Sequence, residues 1–128
     1  MKFYLVFLLL SAISASCLSQ SDTRILNPSF AQKLQSLLKH EVPELSCEQL
    51  FKNQSKYLIL DTRNEEEFST SHLEDAVWVG YSSFKRSQLE NIDRNQMIVC
   101  YCSVGYRSEI IGMKLHEAGF TNVFNLYG

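Results

Sequence analysis

The segment that most constrains the fold is residues 98–108, where an apolar run ends at a cysteine and a short loop follows. The run 98–101 has the composition of a buried strand, and the pattern that begins at Arg107 predicts an amphipathic helix. Strand, loop and helix start therefore meet at Cys102. Alternating strands and helices elsewhere predict an α/β fold, in which functional sites lie at the carboxyl ends of the strands.

The junction at Cys102 suits a reactive thiol. Unpaired N–H groups of the loop and the first helical turn can receive an anion, and the helix dipole and Arg107 favour thiolate over thiol. Cysteines in such surroundings have a pKa lowered from about 8.5 into roughly the 3.5–7.5 range. Cys102 is therefore the candidate nucleophile. Four residues separate it from Arg107, so the loop suits a small anion.

Three segments together resemble one known family. Residues 101–108 read Tyr-Cys-Ser-Val-Gly-Tyr-Arg-Ser, residues 60–68 read Leu-Asp-Thr-Arg-Asn-Glu-Glu-Glu-Phe, and residues 71–76 read Ser-His-Leu-Glu-Asp-Ala. They are similar to the active loop, the Asp-x-Arg…Glu-Phe signature and the Gly-His-Ile-x-Gly-Ala signature of rhodanese-like domains. Ser71 and Asp75 stand where the family has glycine, which predicts a different turn outside the loop. The resemblance covers about residues 41–128.

The resemblance implies a three-layer α/β/α sandwich with a mostly parallel central sheet, and a persulfide carried on Cys102. Asp61, Arg63 and Glu67 would support the loop structurally, and no organic cofactor is implied. Backbone N–H groups of the loop would hold the persulfide, with the arginine shaping the loop and the last serine adding a donor. The residues of this persulfide-binding loop are Ser103, Val104, Gly105, Tyr106, Arg107 and Ser108.

The implied function is that of a sulfurtransferase similar to thiosulfate sulfurtransferase. It would move a sulfane sulfur from a small anionic donor such as thiosulfate to a thiol or cyanide, and a thiol carrier protein is one form of acceptor. The alternative is a non-catalytic rhodanese-like module that binds a partner or senses redox state. Cysteine phosphatases of the cell-cycle type and arsenate reductases resemble this loop but hold one more residue, so the shorter loop favours sulfur.

Charge and cysteine spacing exclude other classes of function. The chain of 128 residues has a formal net charge of -2, so it lacks the excess of positive charge that attracts nucleic acid. The spacing of its cysteines and histidines does not match a zinc site, because one residue separates Cys100 from Cys102 and a Cys-x-x-Cys knuckle has two. We therefore predict no metal site. Cys100 is predicted to be core. Cys47, in the first turn of a predicted helix, has no such loop and is predicted to be inert.

The first residues have the pattern of an export signal. Residues 1–16 combine Lys2, an apolar run over 3–10 and small residues, which predicts a secretory signal peptide too short to span a bilayer. Cys17 stands where a bacterial lipoprotein carries its lipids, but Ser14 replaces the usual leucine, so a lipoprotein and a soluble exported protein both stay open. We expect a bacterial protein, periplasmic or held at a membrane through Cys17 alone, with residues 17–28 as a tether and 29–128 as the domain.

Periodicity predicts the remaining elements. A helix is expected in 29–40, an edge strand at 42–45, a central strand at 57–60 and a further strand at 76–80. Gly119 is expected to end the last helix, and 121–126 to form the last strand. The chain stops within the equivalent of the family's Leu-x-Gly-Gly-Ile stretch, so the family's terminal helix is expected to be missing, either from a shortened protein or from a fragment.

Two further expectations concern the shorter helices. Ser46 and Gln49 form a capping box for a helix predicted to bury Leu50 and Phe51. A polar helix is expected over 82–90, on a stretch that flanks the active face in the fold that the resemblance implies. Lys85 and Arg86 would attract an anionic donor there, but a solvated helix face is the commoner interpretation of two adjacent charges, and both alternatives stay open.

Overall fold

The computed structural model describes residues 25–128, so the predicted signal peptide, Cys17 and most of the predicted tether lie outside the described residues. No helix within 25–128 has the length and apolar character needed to cross a membrane. Two 3-10 helices cover Gln54–Lys56 and Arg86–Leu89. The α-helices are α1 (Pro28–Leu37), α2 (Cys47–Asn53), α3 (Glu65–Thr70) and α4 (Tyr106–Glu117). The strands are β1 (Glu44–Ser46), β2 (Leu58–Asp61), β3 (Val77–Trp78), β4 (Ile98–Tyr101) and β5 (Val123–Tyr127).

The described strands form one sheet in the order β1-β5-β4-β2-β3, and every pairing is parallel. Parallel sheets are covered on both faces, because their connections are helices that pack there. On one face Ile111 and Leu115 of α4 join the core cluster. On the other, Leu50 of α2 packs against Ile59 and Val99. The predicted α/β fold with a parallel central sheet and helices on both sides is confirmed.

Strand β4 lies at the centre of the sheet, between β2 and β5, and all of its residues are buried. Its register pairs Cys100 with Leu60 of β2 and with Asn125 of β5. The carboxyl ends of the three strands consequently lie at one edge of the sheet. The segments that follow β2 and β4 meet there and build the site described below.

Helix α4 is anchored at its carboxyl end as predicted. Gly119 adopts φ +91°, and its N–H donates to the carbonyl of His116 at 2.9 Å. The N–H of Phe120 donates to the carbonyl of Leu115 at 3.1 Å, and both side chains belong to the same core cluster. A left-handed residue followed by an apolar contact is the usual way to satisfy the last helical carbonyls.

Glu109, in the first turn of α4, joins this helix to the turn after α1. Its side chain is 1% exposed, and its carboxylate accepts the N–H of Lys39 at 2.9 Å and that of Glu41 at 3.1 Å. Between them His40 has φ +56°, a conformation that costs energy for a residue other than glycine. The buried carboxylate therefore holds a strained turn and links α1 to α4.

Two sequence predictions about the helices are wrong in part. The Ser46 capping box is present and Leu50 is buried, as predicted, but Phe51 is 82% exposed. A helix as short as α2 packs only one narrow row of its residues against the sheet, and Phe51 lies outside that row. The helix expected over 82–90 is a 3-10 helix, Arg86–Leu89. Leu89 is its one buried residue, and a single apolar contact does not favour a longer helix.

We predict that Leu115→Ala lowers the free energy of unfolding by about 2–5 kcal/mol, because Leu115 is 1% exposed and truncation leaves a cavity under α4. Urea denaturation followed by circular dichroism measures this change. Leu26→Ala is the matched control: Leu26 is 96% exposed, so its truncation should change stability by less than about 0.5 kcal/mol. Equal losses in both variants would contradict the assigned core.

Candidate active site

The loop between β4 and α4 places Cys102 against aligned backbone donors. Gly105 precedes α4 with φ +90°, a conformation that a residue with a Cβ rarely adopts, and its N–H donates to Sγ of Cys102 at 3.2 Å. Asn125 Nδ2 and the N–H of Glu109 both donate to the Gly105 carbonyl, at 3.0 Å each. The glycine is thereby held in the orientation that directs its N–H at the sulfur.

The surroundings of Cys102 favour its thiolate. Burial raises the pKa of the Cys102 thiol, but hydrogen bonds from the Ser108 hydroxyl and from the N–H groups of Ser108, Val104 and Gly105 outweigh burial, and the pKa lies below its ordinary value. Cys100, two residues earlier, has no such donors. Burial, and then the nearby Cys102, raise its pKa to about 12. The pKa values of the two thiols are therefore shifted in opposite directions despite their spacing.

Arg107 is held by Glu67 rather than pointing freely at the sulfur. Its Nη1 donates to Oε2 of Glu67 at 2.7 Å, and its Nη2 donates to Oε1 at 3.0 Å and to the Ser103 hydroxyl at 3.0 Å. Hydrogen bonds from Arg107 and from the N–H of Asn64 lower the pKa of Glu67 to about 2. The pKa of Arg107 is raised chiefly by Glu67 and in smaller part by Cys102. The pair closes the loop by joining α3 to α4.

Asp61 and Arg63 form a separate cluster with Tyr101. The Tyr101 hydroxyl donates to Oδ2 of Asp61, and Arg63 Nη2 donates to the same oxygen at 2.6 Å. Burial raises the pKa of Asp61, but the bonds from Arg63 and Tyr101 lower it below its ordinary value. The N–H of Leu73 and the carbonyl of Ser71 also bind this cluster. The cluster therefore ties the end of β2 to the end of β4 and to the segment after α3.

Asn125 is the residue of this site that the sequence reasoning missed. It is 1% exposed on β5, and its Oδ1 accepts the Ser108 hydroxyl at 2.6 Å. Ser108 Oγ also lies 3.4 Å from Sγ of Cys102, so its single proton has two acceptors. The sequence feature that could have indicated this role is a polar residue two positions after Val123, on the same buried face of a strand. Buried polar groups need partners, and such a residue indicates a hydrogen-bonding role.

Of the two alternatives for Lys85 and Arg86, the solvated face agrees with the structure, in which both residues are exposed, and the approach to the active face does not. Arg86 Nη2 lies 3.1 Å from a carboxylate oxygen of Glu117, the last residue of α4, whereas Cys102 lies at the start of that helix. A helix of 12 residues is about 18 Å long, which separates the two positions. The polar segment packs against the far end of α4 instead.

Cys102 opens into a cavity of about 150 Å³. The loop residues Ser103, Val104 and Gly105 line it, and so do residues from outside the loop: Ile25, Phe30, Leu34, Cys47, Leu126, Tyr127 and Gly128. A larger cavity of about 410 Å³, between α2 and Leu73, lacks Cys102 and the loop. The smaller one is therefore the candidate substrate cavity. Within residues 25–128 no three His, Cys, Asp or Glu side chains are grouped as metal ligands.

Comparison with known proteins agrees with this geometry. The fold and the cysteine-to-arginine loop define a parallel α/β domain with a thiol at the N-terminus of a helix. The family described as Rhodanese-like domain matches residues 46–128, and the chain belongs to this family. Membership of this family supports sulfurtransferase-type chemistry in general and does not specify the reaction.

Three similar proteins show how this chain relates to others. A tRNA uridine(34) hydroxylase from Chlamydia muridarum is 33% identical over 97 residues, which are 70% of this chain and 29% of that protein. A rhodanese-related protein from Thermoplasma volcanium superimposes with a TM-score of 0.60 at 21% identity, covering 67% and 84% of the two chains. A NAD-dependent persulfide reductase from A. fulgidus gives a TM-score of 0.53 at 28% identity, covering 79% and 17%. The chain thus spans under a third of the Chlamydia protein.

We predict that Ser108→Ala raises the pKa of the Cys102 thiol by about one to two units, because a hydrogen bond to a charged group contributes about 1.5–3 kcal/mol. The pH dependence of iodoacetamide alkylation, followed on the Cys102 peptide by mass spectrometry, measures this pKa. Ser103→Ala is the control, since that hydroxyl faces Glu67 and Arg107. An unchanged profile in Ser108→Ala would contradict the assignment of Ser108 as a donor to sulfur.

We predict that the Glu67–Arg107 pair stabilises the protein in a pH-dependent way. The pKa of Glu67 in the folded protein, about 2, lies below its ordinary value of 4.5. Its stabilisation is therefore fully present above pH 4.5 and is lost as the pH falls toward 2. The difference in urea midpoint between wild type and Glu67→Gln should shrink over that window. Glu66→Gln, which removes a charge from the same helix outside the pair, is the control, and a difference independent of pH would refute the pairing.

Proposed function

We propose that this protein is a rhodanese-type sulfurtransferase in which Cys102 carries the transferred sulfur. The observation that supports this most directly is the position of Sγ, which accepts the Gly105 N–H at 3.2 Å at the start of α4 and lies 3.4 Å from the Ser108 hydroxyl. Donors aimed at a sulfur anion stabilise both the attacking thiolate and the persulfide that replaces it. Membership of the rhodanese-like family supports the same chemistry.

In the first half-reaction the Cys102 thiolate attacks the outer sulfur of an anionic donor. With thiosulfate, a bond forms between Sγ and the outer sulfur, the donor's S–S bond breaks, and its electron pair leaves with sulfite. The enzyme keeps a persulfide anion, which the loop N–H groups stabilise. In the second half-reaction cyanide or a thiolate takes the outer sulfur and the Cys102 thiolate is restored, which gives ping-pong kinetics.

The other residues act as positioning groups in this proposal. Glu67 and Arg107 hold the two ends of the loop, and Asp61, Arg63 and the Tyr101 hydroxyl brace the strand ends beneath it. Val104 and Tyr106 are 38% and 40% exposed, and Val104 lines the cavity beside Cys102. No described side chain has to act as a base, because thiolate formation is already favoured.

The partners proposed are a small anionic sulfur donor and a thiol or cyanide acceptor, including a thiol carrier protein. The Chlamydia relative is named for an activity on tRNA uridine, and this chain matches 29% of its length. The net charge of -2 favours small-molecule partners over nucleic acid here. The A. fulgidus relative is named for a persulfide, which supports sulfur chemistry on this fold. We also propose that the protein is exported, with or without a lipid on Cys17.

We predict that the purified full chain gains about 32 Da, one sulfur atom, when the reduced protein is mixed with thiosulfate, because the thiolate forms a persulfide. Intact-mass spectrometry measures the gain, and cyanide should reverse it with release of thiocyanate. Cys102→Ser should show no gain.

Cys47→Ser is the control for the other thiol that lines the cavity: Cys47 lies outside the loop, so this variant should gain sulfur like the wild type. A folded, reduced wild-type protein that gains no mass would refute the sulfurtransferase and support the non-catalytic binding or redox-sensing module.

A further inference from the structure

Two cysteines from distant parts of the chain line the cavity beside the loop. Cys102 and Cys47 both belong to its lining, together with Leu126, Tyr127 and Gly128 at the end of β5. Sγ of Cys47 lies 3.2 Å from the carbonyl oxygen of Gly128. Cys47 directly follows β1 and Cys102 directly follows β4, and β5 lies between these two strands. The two thiols therefore share one small space across the end of β5.

The strand register gives the separation of the two cysteines. Continued past the strand ends, the β4–β5 register places Cys102 level with Tyr127, and the β1–β5 register places Cys47 one residue beyond Tyr127. Neighbouring strands lie about 4.8 Å apart and rise about 3.3 Å per residue, so the two Cα atoms are separated by about 10 Å.

This separation disfavours a disulfide and suits the transfer of a sulfur atom. A disulfide requires Cα atoms within about 7 Å, so Cys47 and Cys102 could bond directly only if the backbone moved. A persulfide on Cys102 extends that side chain by one S–S bond of about 2 Å, and the bond that forms to Cys47 spans a similar length. The outer sulfur of the persulfide therefore bridges a gap that the two thiols alone do not.

Cys47 lies where the small cavity meets the larger one. Cys47 and Leu126 line both the cavity of about 150 Å³ beside the loop and the cavity of about 410 Å³ between α2 and Leu73. Cys47 is also exposed, whereas Cys102 is half-buried. A sulfur carried on Cys47 is consequently open to acceptors that are too large to enter the smaller cavity.

The surroundings of Cys102 make it a good leaving group toward another thiol. Although burial raises the pKa of the Cys102 thiol, hydrogen bonds from Ser108 and the loop N–H groups lower it below its ordinary value. A thiol with a lower pKa leaves faster in thiol exchange. Cys100, in contrast, is 0% exposed and lines neither cavity. Within residues 25–128, Cys47 is thus the cysteine placed to receive sulfur from Cys102.

From these observations we propose that Cys47 is a second sulfur-carrying thiol, which takes the sulfane sulfur from the Cys102 persulfide and presents it to large thiol acceptors. This proposal rests on the sulfurtransferase function proposed above and adds a step to its second half-reaction. The sequence alone predicts an inert Cys47, because no loop of donors accompanies it. The shared cavity depends instead on the pairing of β1 and β4 with β5, which are far apart in the chain.

The transfer balances without any further reagent. The thiol proton of Cys47 moves to the outer sulfur of the Cys102 persulfide anion, and the Cys47 thiolate attacks that sulfur. One S–S bond forms at Sγ of Cys47, the S–S bond at Cys102 breaks, and its electron pair stays on Cys102. The products are a protonated persulfide on Cys47 and the Cys102 thiolate, which accepts the Gly105 N–H. The total charge is minus one before and after the step.

The test locates the sulfur after the reduced full chain is loaded with one equivalent of thiosulfate, which supplies one sulfur per molecule. Rapid alkylation with iodoacetamide fixes each persulfide, and peptide mass spectrometry assigns it, since trypsin releases Cys47 in residues 40–52 and Cys102 in residues 95–107. We expect persulfide on both peptides of the wild type. The share on Cys47 should not depend on protein concentration, because the transfer occurs within one molecule.

Three variants identify the route of the sulfur. Cys47→Ser should gain the same single sulfur as the wild type and hold all of it on Cys102. Cys102→Ser should carry no persulfide on Cys47. Cys100→Val is the matched control, because it removes a thiol that lines neither cavity, and it should divide the sulfur between the two peptides as the wild type does. Circular dichroism verifies that the variants are folded.

The choice of acceptor gives a second measurement. The acceptors compared are cyanide, which is small enough to reach Cys102, and a thiol attached to a large polyethylene glycol. Cys47→Ser should lower the ratio of the rate with the large thiol to the rate with cyanide by about tenfold, because the large thiol loses the intramolecular step that brings the sulfur to it. Cys100→Val should leave this ratio unchanged.

The outcomes separate the two proposals. If no cysteine gains a persulfide, the sulfurtransferase function itself fails. If Cys102 gains a persulfide and Cys47 does not, or if Cys47 gains one in Cys102→Ser, the relay is overturned and transfer through Cys102 is judged by its own persulfide. Release of hydrogen sulfide with a Cys47–Cys102 disulfide would mean attack on the inner sulfur, and would also overturn the relay.

Discussion

The parallel pairing of β4 with β2 and β5 is the constraint on which the rest of the molecule depends. Because the three strands run in one direction, their carboxyl ends share an edge, and each end contributes a different chemical part. Strand β2 brings Asp61, β4 leads into Cys102, and β5 places Asn125 below the loop. If one of these pairings shifted by a single residue, the side chains of that strand would turn to the opposite face of the sheet, so the register that forms the core also assembles the site.

The site separates the tasks of holding the loop and stabilising the anion. The charged groups Glu67 and Arg107 neutralise each other and fix the loop from outside. The sulfur itself accepts hydrogen bonds mainly from neutral donors, the N–H of Gly105 and the hydroxyl of Ser108. Neutral dipoles can stabilise a thiolate and then a persulfide without strongly retaining an anionic product. Arg107 contributes to the field at the sulfur, but most of its charge is balanced by the carboxylate it binds.

Much of this could be predicted from the sequence, for identifiable reasons. The strand-loop-helix at residues 98–108 is a local pattern, and so are the capping box at Ser46 and the glycine that ends α4, so each could be recognised from neighbouring residues. The pairing of Glu67 with Arg107, 40 positions apart, is a long-range contact, and the sequence indicated only that both belong near the loop. The exposure of Phe51 and the role of Asn125 depend on which row of a short element faces the sheet. Composition alone does not determine that row.

The link made by Glu109 has a consequence for how the cavity responds to ligands. Its buried carboxylate binds the backbone on both sides of His40, and so joins the end of α1 to the first turn of α4. Phe30 and Leu34 of α1 and the loop that leads into α4 both line the cavity. The two hydrogen bonds to Glu109 thus restrain the position of α1 relative to the loop. A link of this kind favours a preorganised cavity, which lowers the entropic cost of ordering its walls when a ligand binds.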